Sequence, residues 1–363
     1  MPRPSTPPGR VILCGAVHEA APTLDALLAS ELADVVAVVT ASEQGLRGLA
    51  GPVDLATPAR AAGAAVIRTD DVNDPDIVAQ LSALQPDLLV VVGWTRLIGA
   101  ELLAVPRRGC VGFHASLLPR HRGRAPVNWS ILRGETVTGN TMMLLDPGAD
   151  TGDIVDQRST AVTAEDTCAT VYVRVAELGV QMLRDHLPAL LAGTAPRRRQ
   201  DPAQGDILPK RTPAMGVIDW ARPPRDVHNW VRALTAPYPG AFGDWNGRQV
   251  MIWRTRVPEP HAHCGNDPGL VLDVDDAGMQ VATAGGLVTV TSMSWAEQTP
   301  TAAPAWCAAN GLGPGARFGL PAPELARWAR GEGPRPQPQG VHDASGPRES
   351  AGRLRADTQR SGT

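Results

Sequence analysis

Two residues of the chain, His114 and Asp150, have the types and surroundings that proton transfer requires. His114 ends a short apolar segment, and Asp150 stands 36 residues later on a loop rich in glycine and proline. An imidazole can take up and deliver protons near neutral pH, and a nearby carboxylate can orient it and support its charge. Asp150 alone would also suit a plain turn, since Pro147 and Gly148 precede it. We therefore predict catalysis by the two residues as a pair.

The pair lies within a longer pattern that extends into the second half of the chain. The first block contains Phe113, His114, Ser116, Leu117, Leu118, Pro119, Arg122, Gly123, Ala125, Pro126, Asp150 and Gly152. The second block lies at residues 209–213, 218–220, 232–234 and 239–242. Together the blocks resemble the 10-formyltetrahydrofolate-dependent formyltransferases, which include methionyl-tRNA and amino-sugar enzymes. The resemblance covers about residues 10–293 and implies 10-formyltetrahydrofolate as co-substrate, with no metal.

The resemblance also implies roles for individual residues. It implies catalysis by His114 and Asp150, and binding of the folate by Trp94, Arg96, Leu97, Ile98, Asp146 and Asp150. It implies contacts to the acceptor by Ser116, Arg122 and Arg124. A pterin ring presents a planar face and a fixed donor–acceptor edge, which loop backbone groups and aliphatic walls can meet.

One position departs from the family pattern. In the family an Asn two residues before the His shares the chemistry, and here that position is Gly112. Losing one such donor typically costs about 3 kcal/mol of transition-state stabilisation. Asn128 and Asn140 are nearby in sequence as candidates for a replacement donor, and Asn128 is the weaker basis because sugar-type relatives carry it beside the usual Asn. A folate-binding protein, or a hydrolase of 10-formyltetrahydrofolate that lacks transfer activity, is therefore an alternative to a transferase.

Apolar strands that alternate with helical periodicity predict the fold. Strand-like segments at 10–14, 34–40, 65–68, 87–92 and 111–113 alternate with helical ones, which favours a doubly wound parallel sheet of the α/β class. Strand-like segments between 250 and 293 predict a small OB-like β-barrel. The predicted organisation is an arm at 1–9, a catalytic domain at 10–195, a linker at 196–205, the OB-like domain at 206–318 and a disordered tail at 319–363.

Composition limits the partners. The 363 residues are 43% apolar and carry a net charge of −3, so no overall attraction for nucleic acid or anionic membrane is expected. No apolar run approaches the length of a membrane span, and the first nine residues lack the apolar core of a signal peptide. The five cysteines are scattered, without metal-ligand spacing. These features predict a cytoplasmic protein that has no membrane partner.

The acceptor is the least constrained prediction. Methionyl-tRNA formyltransferases carry a Lys-rich insertion and a Gly-Thr-Pro-x-Phe loop early in the chain. Here residues 40–62 contain only Arg47 and Arg60 as basic residues, and residues 15–19 read Gly-Ala-Val-His-Glu. Without the basic loop, release of counterions would contribute little to tRNA affinity. We therefore expect a small-molecule amine, either an amino sugar or an amine of specialised metabolism, with methionyl-tRNA as the alternative.

Overall fold

The computed structural model describes residues 7–201, 203–258, 265 and 267–336. The first unit contains eight strands: Gly9–Cys14 (β1), Ala33–Thr40 (β2), Ala65–Arg68 (β3), Leu88–Val91 (β4), Cys110–His114 (β5), Arg122–Gly123 (β6), Val137–Leu144 (β7) and Ile154–Ala161 (β8). Its helices are Ala20–Leu28 (α1), Glu43–Arg47 (α2), Ala56–Ala61 (α3), Pro75–Ala83 (α4), Ala100–Leu103 (α5), Pro126–Leu132 (α6) and Cys168–Ala192 (α7).

Seven of these strands form one sheet in the order β3-β2-β1-β4-β5-β7-β8. Strands β1 to β5 pair in parallel, as the alternating pattern predicts. Strands β7 and β8 add an antiparallel edge that the sequence did not reveal. The reason is that β7 carries the polar Thr138, Asn140 and Thr141, which are buried, so its apolar periodicity is weak.

Both faces of the sheet are covered, which explains why β4 and residues 11–14 of β1 are entirely apolar. On one face, Leu24 and Leu27 of α1 join Leu183 and Leu187 of α7 in a cluster with alternate strand residues. On the other face, Leu81 of α4 and further helix residues pack on the remaining strand residues. A strand buried on both faces needs apolar side chains at every position.

The second unit is built around antiparallel strands. It comprises Ile207–Leu208 (β9), a 3-10 turn at Pro213–Gly216, Pro224–Leu234 (α8), Ala241–Trp245 (β10), Arg248–Arg256 (β11), Val271–Asp275 (β12), Gly278–Thr283 (β13), Gly286–Trp295 (β14), Thr301–Ala302 (β15), Ala303–Asn310 (α9) and Pro323–Ala329 (α10). The sheet runs β10-β11-β14-β13-β12, with β15 on β14. Isolated bridges join Gly319 to Asp244 of β10 and Arg317 to Leu270, which directly precedes β12. The two edge strands of the sheet, β10 and β12, therefore both contact residues 317–319.

The structure moves three of the expected boundaries. Gly9, placed in the arm, begins β1, and residues 1–6 lie outside the described part. The expected linker is attached to the first unit, because Arg198 exchanges two backbone hydrogen bonds with Ile154. The expected tail from 319 starts with ordered structure, since α10 buries Ala329 against Trp129 and Met215. Residues 337–363 of that tail lie outside the described part.

Within the described ranges, no helix combines the length and apolarity needed to cross a bilayer. The same residues contain no cluster of three or more His, Cys, Asp or Glu side chains arranged to hold a metal ion.

Candidate active site

The loops that carry the predicted site leave the sheet at one edge. The registers place Cys14 beside Val91 and Val91 beside Gly112, so β1 and β4 end at the same level and β5 continues two residues further, to His114. Ligands of doubly wound sheets bind beyond the carboxyl ends of the strands. The segments that follow these ends are 15–19, 93–98 and 115–125, and all three therefore border one site.

His114, the last residue of β5, is held by its backbone surroundings. Its side chain is 8% exposed, and its Nε2 lies 2.7 Å from the carbonyl oxygen of His121. Because a carbonyl oxygen only accepts hydrogen bonds, Nε2 carries a proton. The other ring nitrogen, Nδ1, lies 3.4 Å from Oδ1 of Asp150. The structure therefore brings the predicted pair together and directs Nδ1 towards the carboxylate.

Asp150 is fixed by two hydrogen bonds and by its backbone conformation. Its Oδ2 accepts a hydrogen bond from the backbone N–H of Gly123 at 2.8 Å. Its backbone adopts φ +56°, which is uncommon for a residue with a side chain. Its carbonyl oxygen accepts a hydrogen bond from the side-chain amide of Gln200 at 2.9 Å. These contacts leave Oδ1 directed at His114.

The protonation of the pair follows from this geometry. With Nε2 donating to a carbonyl, Nδ1 donates to Asp150 when the ring is an imidazolium. In the neutral ring Nδ1 holds a lone pair, which can accept a proton from a reacting amine. The carboxylate beside it stabilises the positive charge that this step creates. The arrangement suits a proton acceptor whose reactive atom is Nδ1.

The loop that holds His114 has its own supports. His121 Nε2 lies 3.1 Å from Glu135, and the His121 backbone N–H donates to Asp206 at 2.8 Å. Burial alone would raise the pKa of Glu135, but the hydrogen bond and charge of His121 outweigh it and hold that pKa below its ordinary value. Glu135 therefore remains a carboxylate that anchors the residue whose carbonyl oxygen holds His114.

The space at Gly112 is taken by another side chain. A Cβ at Gly112 would lie 2.5 Å from Cδ2 of Leu145. Neither nearby asparagine supplies the missing donor, because the amide of Asn128 donates to Ala233 O at 2.6 Å and that of Asn140 to Val175 O at 2.8 Å. Leu145 thus occupies the place where a side chain at Gly112 would begin.

The predicted folate segment divides into a buried and an exposed part. Ile98 is buried in a cluster that also contacts Trp94 and Leu145, so the segment after β4 and the 146–150 loop share an apolar wall. The indole N–H of Trp94 is buried and has no hydrogen-bond partner among the described residues. An unpaired donor above an apolar wall fits the edge and the face of a planar heteroaromatic ring. Arg96 and Leu97 point to solvent.

Asp146 and the predicted acceptor residues serve mainly local structure. Asp146 Oδ1 accepts hydrogen bonds from Gly148 N–H and Thr151 Oγ1, which shape the loop. Ser116 is buried and donates to Arg120 O at 2.8 Å. Arg122, also buried, donates to Gln200 Oε1 at 3.0 Å, so its predicted contact to an acceptor is replaced by a structural one. Arg124 alone of the three is exposed.

Gln200 is the functional residue that sequence reasoning missed. Its amide N–H groups donate to the carbonyls of Asp150 and Gly152, while its oxygen accepts from Arg122. It therefore connects the loop of Asp150 to the strand β6 beside His114. Its place in the basic segment after α7 resembled a solvated linker, and no local pattern marked it.

A separate cavity of about 400 Å³ lies away from His114, between α6, α8 and α10. Trp129 and Trp230 line it together with paired charges such as Arg330 and Asp219, which are 3.1 Å apart. Neither His114 nor Asp150 is among the residues that line it.

Comparison with known proteins agrees with this geometry. Residues 10–187 match the family described as "Formyl transferase", and residues 210–311 match "Formyl transferase, C-terminal domain". Methionyl-tRNA formyltransferase of Geotalea uraniireducens (strain Rf4) is 36% identical over 285 residues, which cover 77% of this chain and 88% of that protein. The enzyme of the same name from Geobacter metallireducens is 34% identical over 313 residues, covering 85% and 98%. The chain belongs to the formyltransferase family.

Solved structures share the fold. HypX from Aquifex aeolicus, in complex with tetrahydrofolic acid, superposes with a TM-score of 0.58 at 19% identity, covering 83% of this chain and 47% of HypX. This chain thus spans about half the length of HypX. An N-formyltransferase from Helicobacter canadensis, in complex with folinic acid and dTDP-3-aminofucose, gives a TM-score of 0.58 at 16% identity, covering 77% and 98%. At these identities the likeness is one of fold.

Proposed function

We propose that the protein transfers the formyl group of 10-formyltetrahydrofolate to a primary amine. The observation that carries the proposal is the pair His114–Asp150, with Nδ1 and Oδ1 3.4 Å apart at the carboxyl edge of the sheet. Family membership supports the same reaction. The folate supplies the formyl group, and the unpaired indole N–H of Trp94 beside the wall of Ile98 and Leu145 supports its place.

Individual residues have separate roles in the proposed transfer. Nδ1 of His114 takes the proton that the attacking amine loses as its nitrogen bonds to the formyl carbon, and Asp150 stabilises the resulting imidazolium. The imidazolium then returns the proton to the folate nitrogen as the bond between that nitrogen and the formyl carbon breaks. The carbonyl oxygen of His121 holds the side chain of His114 in position, and the N–H of Gly123 holds that of Asp150. Position 112 has no side chain that could stabilise the carbonyl oxygen, so we assign this role to the Nδ1–H of the His114 imidazolium or to backbone N–H groups nearby.

Methionyl-tRNA is the acceptor with the best support. The methionyl-tRNA formyltransferases align with both units of the chain, whereas the amino-sugar enzymes are structural relatives at low identity. We therefore favour methionyl-tRNA, the alternative acceptor, over the small amine that we expected from the sequence. The pairing of β6 with β9, continued by the hydrogen bond from Arg124 N–H to Leu208 O, brings exposed Arg124 near exposed Lys210.

A small amine is the second candidate, for two reasons that lie in the chain itself. Residues 40–62 hold few basic side chains, and residues 15–19 replace the loop that methionyl-tRNA formyltransferases usually carry. Glu19 stands where that loop has Phe. A tRNA-specific enzyme would be expected to keep both features.

One experiment separates these functions. The full chain is incubated with 10-formyltetrahydrofolate and, in parallel, with methionyl-tRNA, with a panel of small amines, or with no acceptor. We expect formyl-methionyl-tRNA and an equal amount of deformylated folate. A formylated small amine without a tRNA product would establish the second candidate. Formate release without any acceptor would show a hydrolase, and folate binding without turnover would refute transfer.

A further inference from the structure

The loop between β5 and β6 controls which nitrogen of His114 can act as a base. A neutral imidazole carries one proton, and both ring nitrogens of His114 face an oxygen that could accept a hydrogen bond from it. Nε2 lies 2.7 Å from the carbonyl oxygen of His121, whereas Nδ1 lies 3.4 Å from Oδ1 of Asp150. The first distance is that of a normal hydrogen bond and the second exceeds the usual range, so the proton stays on Nε2. The lone pair on Nδ1 therefore depends on the carbonyl group of His121.

The backbone of His121 has a conformation that needs support. Its φ is +59°, in the left-handed region, which a residue with a side chain seldom adopts unless its surroundings hold it there. His121 lies between Pro119 and Arg122 of the first motif block but does not belong to that block. The contacts made by this chain's own side chain at position 121 therefore bear on the position of the carbonyl group.

Two carboxylates hold His121. Oε1 of Glu135, between α6 and β7, lies 3.1 Å from Nε2 of the His121 ring, which is 7% exposed. Oδ1 of Asp206 accepts a hydrogen bond from the His121 backbone N–H at 2.8 Å, and Oδ2 of Asp206 accepts one from Arg133 at 2.7 Å. The residue is thus anchored through its ring and through its N–H, which keeps its carbonyl group directed at His114.

We propose that His121 and Glu135 are positioning residues that keep the proton of the neutral His114 ring on Nε2 and so make Nδ1 the base. The inference rests on the proposed function and deepens it, because it traces the reactivity of His114 to a contact outside the family motif. Without the Glu135 contact the carbonyl group of His121 turns away, and Nδ1 donates to Asp150 instead. The lone pair then lies on Nε2, which faces the loop and cannot take the proton of the amine.

Nitrogen NMR of the full chain, free of substrates, tests the tautomer directly. In ¹⁵N-labelled protein a ring nitrogen that carries a proton and one that holds a lone pair give separate signals, and those of His114 are identified by their loss in His114→Ala. We expect wild-type His114 to carry its proton on Nε2 at neutral pH. Glu135→Leu should move the proton to Nδ1 and lower kcat about tenfold, because only the minority tautomer then presents a free Nδ1, while KM for the folate stays unchanged.

Three further variants separate the hydrogen bond from charge and from backbone strain. Glu135→Gln loses the same charge as Glu135→Leu but keeps an oxygen that can accept from the His121 ring, so it should restore the Nε2–H signal and most of the turnover. His121→Gly removes the ring while permitting the left-handed backbone, and it should behave as Glu135→Leu does. Thr136→Ala, at the exposed residue next to Glu135, should match the wild type. Thermal melts check that each variant is folded.

Three results would overturn the proposal. The first is a wild-type His114 ring that carries a proton on Nδ1 at neutral pH, and the second is an Nε2–H signal that persists in folded Glu135→Leu and His121→Gly. The third is an equal effect of Glu135→Gln and Glu135→Leu, which would mean that Glu135 acts through its charge. The NMR signals require neither folate nor acceptor. A protein that transfers no formyl group would therefore refute the proposed function and leave the tautomer measurement intact.

Discussion

At the scale of residues, the reactivity of the site depends on which side-chain atoms already form hydrogen bonds. Nε2 of His114 and Oδ2 of Asp150 are held by backbone groups, which leaves one nitrogen and one oxygen facing each other. A group whose second polar atom is fixed retains a single orientation, which is the preorganisation that proton transfer requires.

Replacing either member of the pair should impair turnover but not folding. His114→Ala is expected to lower kcat by about 100-fold or more, because a positioned acid–base group contributes at least that much. Asp150→Asn should also be severe, since a neutral amide does not stabilise an imidazolium. Steady-state kinetics with a thermal melt on each variant checks this. A folded His114→Ala variant with near-normal kcat would refute the assignment.

The side chain missing at Gly112 gives a second residue-level prediction. Gly112→Asn restores the family's side chain, but its Cβ meets Leu145, so the single variant should be less stable than the wild type. Gly112→Asn combined with Leu145→Ala removes the clash and should raise kcat if an added donor stabilises the transition state. Leu145→Ala alone is the control. A double variant no faster than this control would show that the oxyanion is already held by other groups.

At the scale of elements, the catalytic loops are tied together by a segment that looks like a linker. Gln200 connects the loop of Asp150 with Arg122 of β6, and β6 in turn pairs with β9 of the second unit. Buried amides that satisfy several backbone carbonyls give a loop a single conformation. The order of the active site therefore depends on residues far from it in sequence.

Removing this connection should loosen the loop. Gln200→Leu removes the donor to the carbonyls of Asp150 and Gly152, which should cost about 1–3 kcal/mol of unfolding free energy. The guanidinium of Arg122 loses its acceptor at 3.0 Å and keeps only the backbone carbonyls of Asp201 and Gln204, each at 3.4 Å. Turnover should fall with it, because Asp150 loses its position. Denaturant unfolding and kinetics provide the measurement. Gln204→Leu, an exposed glutamine of the same segment, is the matched control and should behave as the wild type.

At the scale of the whole molecule, the C-terminal helix α10 joins the two units. The apolar cluster around Ala329 combines Trp129 of α6 with Met215 and Val217 of the second unit. Beside it, the half-buried Arg211 lies over the ring of Trp129 and donates to Ala329 O at 3.0 Å. Burial lowers the pKa of Arg211 to about 10, so the guanidinium stays charged near neutral pH.

A charge placed under α10 should therefore weaken the entire fold. Ala329 is 1% exposed, and Ala329→Asp buries a carboxylate in an apolar cluster, which should lower the free energy of unfolding by about 2 kcal/mol or more. The same change at the exposed Ala322, at the start of the helix, serves as the control. Melting temperatures compare the two. Equal stability of the two variants would mean that α10 does not fasten the units.

The sequence by itself determined the local features of this protein. The parallel strands followed from apolar runs, and the family followed from motif residues around His114 and Asp150, because strand burial and catalytic chemistry each demand particular residue types. Only the tertiary structure decided that Gln200 supports Asp150, that Leu145 fills the place beside Gly112 and that Arg122 is buried. These relations join residues distant in the chain, and no local pattern encodes which distant groups will share a contact.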